Sequence, residues 1–187
     1  ATVDDDTSIQ LVGNLSGLRE NKNGEQCLLK VTGQSLCKDN QIDYHKLMIY
    51  WVQHLSGCAS GLPLRTVIVG SDVALEIDPF SIVDATEILV GHLNAWYRDL
   101  YTPLPVAIKT AFVWLSKADN SAAKKQYEGD DWNNGEVDYD PYLKRFFPNF
   151  DTLQAIHHKE NTGFEYWAEM LYKKPFEHIN LYQEVKE

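Results

Sequence analysis

The stretch GNLSGLRENKNGEQCLLKVTG, residues 13–33, decides how this chain is read. It has the pattern of two strands about a polar turn. A short apolar run over 9–18 comes first, then the turn signal Glu20-Asn21-Lys22-Asn23-Gly24, then a second strand over 25–36. Gly13 and Gly17 interrupt the first strand and mark a bend or a close backbone approach. On the second strand, Cys27, Leu29 and Val31 share one face. Metal-dependent nucleases use such a hairpin to bring carboxylates from adjacent strands around a divalent ion, commonly with a lysine near the attacked phosphate. Here Ser16 and Lys30 stand where acids would, and Thr32 stands where the lysine would. An ammonium group repels a metal ion rather than holding it. The hairpin is therefore expected to be a structural strand pair, with no catalytic residue, no metal and no other cofactor.

Outward from the hairpin, strands give way to helices. Residues 1–8 are acidic and small and read as a frayed lead-in. A helix is expected over 39–57, with Ile42, Leu47, Met48, Trp51, Val52 and Leu55 as its apolar stripe and Gly57 as its stop. A third strand is expected over 65–77, and its TVIVG start suits a central strand. Asp78-Pro79 reads as the start of the next helix, with Ser81-Ile82-Val83-Asp84 as a weaker capping signal. Its stripe is Ile82, Leu89, Leu93, Trp96 and Leu100. Thr102-Pro103 opens another helix carrying Ile108, Phe112 and Leu115, and SAAKKQYEG closes a short one at Gly129. Residues 129–140 are acidic, rich in Gly and Asn and without period, so they read as a loop. Asp140-Pro141 restarts a helix that ends at Pro148. A last helix spans 162–174 with Phe164, Trp167, Ala168 and Leu171 inward. The whole is a small mixed sheet with packed helices, an α/β fold.

The chain has 187 residues, 44% of them hydrophobic, enough for one domain with a real core. Residue 1 is Ala, and the sequence is read as a cut piece of a longer protein. No charged-then-apolar leader opens it, and no apolar run reaches membrane-spanning length. The net charge is −10, from 27 acids against 17 Lys plus Arg. Proteins that grip nucleic acid alone carry a basic face, so DNA binding by this piece is expected to be weak or none. The three Cys lack metal or redox spacing and suit reduced thiols in the cytoplasm.

Other chemistry finds little support. Glu76 and Asp78, two residues apart at the end of the third strand, form a candidate migrated metal site, with Glu87 approaching from the next helix. The competing reading makes Asp78 a helix cap and Glu76 a strand-end charge. His157-His158 point apart, and His54 and His92 lie within helices and pack or face solvent. Gly57-Cys58-Ala59-Ser60-Gly61 follows a helix, so it is a helix-ending loop and not a nucleophile elbow. No phosphate-binding Gly-Lys-Ser/Thr loop is present. Trp132, Tyr139, Tyr142, Phe146 and Phe147 gather near Arg145 in and after the irregular loop. Folding of the loop ranks first among their roles, a protein partner second and stacking on DNA third.

The phrases LVGNLSGL (11–18), LMIYWVQHLSGCASG (47–61), LRTVIVGSD (64–72), TPLPVAIKTAFVWL (102–115), AAKKQYEG (122–129), GEVDYDPYLKRFFPNF (135–150) and GFEYWAEMLYKKPFEHI (163–179) occur in an order that resembles the carboxyl-terminal region of RecC. RecC is the gamma subunit of exodeoxyribonuclease V, the RecBCD helicase–nuclease. The resemblance covers almost everything after residue 8. It implies a restriction-endonuclease-like fold over a single domain, 9–187, that has lost its nuclease residues. It also implies a scaffolding role beside RecB and RecD in double-strand-break repair and recombination. Trp132, Tyr139, Tyr142, Arg145 and Phe146 are the candidate partner-binding residues. The alternatives are an active metal-dependent nuclease using Glu76 and Asp78, and an unrelated protein-binding module.

Overall fold

A computed structural model describes residues 8–20, 24–155 and 162–182. Its contacts group into two compact units, residues 1–94 with 177–187, and residues 95–176. Each is described by itself.

The first unit is built on a five-stranded sheet. Its strands are β1 (Leu18–Glu20), β2 (Gln26–Val31), β5 (Arg65–Val69), β6 (Ala74–Ile77) and β9 (Ile179–Leu181), in that spatial order. The sheet is mixed: β2 and β5 run parallel, and every other neighbouring pair is antiparallel. The TVIVG segment is indeed the central strand. The opening hairpin is present but shorter than expected. Residues 9–17 form no strand, because Gly17 turns the chain at φ +90°. Gly17 still accepts a hydrogen bond from the Leu29 amide at 2.9 Å, so the pairing starts at that glycine. Cys27, Leu29 and Val31 do share a face, but the buried residue is Leu28 and Val31 is 75% exposed. The helices pack on the Leu28 side, and the alternation of a strand leaves only one set of residues there.

The expected strand over 65–77 is two strands. Gly70-Ser71-Asp72-Val73 turns the chain back, and Val67 pairs with Glu76 in an antiparallel hairpin. The carboxylate of Asp72 holds this turn to the preceding loop. It accepts from the Leu36 amide (2.8 Å), the Cys37 amide (2.9 Å), Ser35 Oγ (2.7 Å) and the Val73 amide (3.0 Å). The Leu36 amide and the Ser35 hydroxyl lead in holding its pKa far below the usual carboxylate range.

The helix expected over 39–57 also starts later. Cys37–Lys38 (β3) and Gln41–Ile42 (β4) form a two-residue hairpin. Its tip, Asp39-Asn40, takes positive φ at both residues, a conformation those two side chains tolerate. A 3₁₀ turn over Tyr44–Leu47 then leads into α1 (Met48–Ala59). Leu47, Trp51 and Leu55 are fully buried, as the stripe required, whereas Ile42 lies in β4. Gly57 is not the stop. The helix passes through it and ends in a Schellman motif, with Gly61 at φ +88° donating to the Cys58 carbonyl and Leu62 to that of Gly57. Gly57 instead lets the Leu64 side chain approach its backbone.

Helix α2 (Ile82–Asp99) starts at the signal read as weaker. Ser81 Oγ accepts from the Asp84 amide and donates to the Asp84 carboxylate, a reciprocal cap. Asp78 and Pro79 lie in the irregular link before it. Of its expected stripe Leu89 is buried, whereas Ile82, Trp96 and Leu100 are exposed and burial falls on Ala85 and Ala95. Ala85 sits in the core of the sheet unit, where a small side chain allows close approach.

The second unit is helical. Helix α3 (Ile108–Lys117) starts six residues after the expected opening. Leu104 precedes Pro105, which disfavours the α conformation there. Helix α4 (Asn120–Glu128) is capped by the Asp119 carboxylate and ends at Gly129, as expected. The irregular segment contains a small hairpin of β7 (Gly129–Asp130) and β8 (Asn133–Asn134), then the short helices α5 (Glu136–Tyr139) and α6 (Pro141–Phe146). Helix α7 (Phe150–Gln154), absent from the sequence reading, is capped by Asn149.

The last helix bears out its inward set: Phe164, Trp167, Ala168 and Leu171 are all buried. It runs further than expected, as α8 (Phe164–Ala168), a π segment (Glu169–Lys173) and α9 (Lys174–His178). Pro175 has no N–H for the Leu171 carbonyl and its ring crowds that oxygen, so the helix widens just before it. Strand β9 follows directly and was not expected. The His157-His158 pair lies outside the described residues.

Two outcomes test this frame. A Cβ at Gly17 would sit 2.3 Å from the Leu29 carbonyl oxygen, on a backbone already at positive φ. Gly17→Ala should therefore cost about 2 kcal/mol or more of unfolding free energy, measured by urea denaturation. Asp72→Ala should speed hydrogen exchange at the Leu36 and Cys37 amides while leaving the α1 amides protected.

Candidate functional site

Lys30 bonds across the opening hairpin. Ser16 lies just before β1, and Lys30 lies on β2, the neighbouring strand. The structure brings the two together. Lys30 Nζ donates to the Ser16 carbonyl at 2.7 Å and reaches Ser16 Oγ at 3.5 Å. Thr32, two residues on, gives its amide to the Val69 carbonyl, and its hydroxyl accepts from the Gln34 amide. The ammonium thus ties β2 to the segment just before β1. Nothing in the trio supplies a negative charge.

Glu76 and Asp78 are not arranged for metal binding. Glu76 lies on β6, and its carboxylate takes the guanidinium of Arg65 from β5 as an ion-pair partner. Arg65 also lies over the Tyr182 ring, 5.4 Å from its centroid. Asp78 is exposed, beyond the end of β6, and does not cap α2, because Ser81 does. Glu87 is exposed on α2. Among the described residues no group of three or more His, Cys, Asp or Glu is placed to hold a metal ion.

One constellation was not read from the sequence. His54 of α1 is fully buried, with Nδ1 2.8 Å from Thr66 Oγ1 and Nε2 3.7 Å from Cys58 Sγ. Nucleophile, base and orienting hydroxyl lie in line, but the trio is sealed in the core of the sheet unit beside Trp51 and Phe80. Burial holds the His54 pKa down to about 4, against a smaller upward pull from the Asp78 backbone. A neutral imidazole out of reach of solvent is a core contact. The i, i+4 spacing of His54 and Cys58 was visible, but its pairing with Thr66 needed the central strand in place.

The aromatic segment of the second unit divides in two. Phe147 is buried, and its carbonyl accepts from the buried Tyr127 hydroxyl at 2.6 Å. Trp132, Tyr139, Tyr142 and Phe146 are exposed. The Tyr142 and Phe146 rings meet at a tilt of 57°, their centroids 4.9 Å apart, with Arg145 over the Phe146 ring. The Tyr142 hydroxyl donates to Asp99, and burial together with that carboxylate pushes its pKa up to about 12.

Glu136, read only as one acid of a loop, is buried. Its carboxylate accepts from the amides of Lys109 (3.0 Å) and Thr110 (2.8 Å) and from Thr110 Oγ1 (2.8 Å). Those amides are at the start of α3, whose own cap residue, Ala107, has no side-chain acceptor. Glu136 therefore caps α3 from a distant segment and pins the aromatic segment to it.

These features define a mixed α/β protein whose opening hairpin carries a lysine tie. The chain matches the model of the RecC C-terminal domain over residues 2–119 and belongs to that family. Membership implies a role in the RecBCD complex. No match was found among the curated proteins. No described helix is long and apolar enough to cross a membrane.

Acid should destabilise the protein through His54. Its folded pKa lies below the unfolded value, so the unfolded chain binds the proton first and stability falls as pH drops from about 6.5 toward 4. Urea midpoints across that window should fall, and His54→Gln should flatten the slope. Glu136→Ala should cost about 1 kcal/mol or more by the same assay, whereas Trp132→Ala should cost almost nothing.

Proposed function

We propose that this chain is a catalytically degenerate, restriction-endonuclease-like module that serves as scaffold in the RecBCD complex, at the stage of double-strand-break repair and recombination. The Lys30–Ser16 tie is the observation that carries this reading. A positive charge bonded across the hairpin weighs against a two-carboxylate metal site there, and Arg65 pairs with the Glu76 carboxylate. Family membership supports the complex as its setting. The chain acts in the cytoplasm, holds no cofactor and performs no hydrolysis of its own. It meets RecB and RecD as protein partners, and it meets DNA as part of the full complex. Trp132, Tyr139, Tyr142, Arg145 and Phe146 serve as partner contacts, since exposed Trp, Tyr and Arg are the residues that dominate interface hot spots.

The test pairs chemistry with assembly. The purified chain, given linear DNA with Mg²⁺ or Mn²⁺, should release no nucleotides, and Glu76→Ala with Asp78→Ala should change nothing. Cleavage abolished by that double substitution would establish the nuclease alternative. Coexpressed in a RecC background, the chain should copurify with RecB and RecD, and Trp132→Ala should reduce the yield.

A further inference from the structure

We draw no further inference here: the strongest candidate, the apolar face of the first unit's sheet on which Leu29 and Val31 of β2 lie beside Val67 and Val69 of β5, half-buried except for the exposed Val31, carries nothing because nothing in the structure shows what covers it.

Discussion

Two parallel strands cannot be joined by a tight turn, and the first unit is organised around that limit. Strands β2 and β5 pair in parallel from Cys27–Arg65 to Val31–Val69, so the chain between them must leave the sheet and return. It does so through the Asp39-Asn40 hairpin, the 3₁₀ turn with Leu47, and α1, whose Trp51 and Leu55 join Leu47, Leu28 and Ile68 in one core. The remaining strands attach by antiparallel pairing, which needs only a short turn, as between β5 and β6. Because α1 must cover the sheet, one face of β2 is committed to the core and the other is not. That choice buries Leu28 and leaves Val31 in solvent.

The same constraint fixes the chemistry at the hairpin. With the β1–β2 register set by Leu18 opposite Leu28, the backbone just before β1 lies beside Lys30. A lysine there satisfies a carbonyl at the frayed end of a strand pair.

The second unit uses an acid where its local sequence lacks one. Ala107 cannot cap α3, and Glu136 does so from 26 residues beyond Thr110. One carboxylate thereby closes a helix end and orders a segment that composition alone marks as irregular. With its base held this way and its turn locked by Asp130, the segment can present aromatic rings to solvent without giving up the fold.

Several features were legible in the residues themselves. The pairing of β1 with β2, the central TVIVG strand, the buried stripe of Leu47, Trp51 and Leu55, the end of α4 at Gly129 and the inward face of the last helix all follow from local signals. Periodicity, turn chemistry and capping act within a few residues, so the amino-acid order carries them. That Ser16 and Lys30 are not acids and Thr32 is not a lysine was equally plain. What tertiary structure decided was pairing. The break of 65–77 into two strands rests on Asp72 reaching Leu36 and Cys37, and the fifth strand, β9, exists only because β6 offers it an edge. The burial of His54 against Thr66 and the capping of α3 by Glu136 likewise join residues far apart in the chain. Such contacts depend on which faces meet once the core closes, and no local pattern records that.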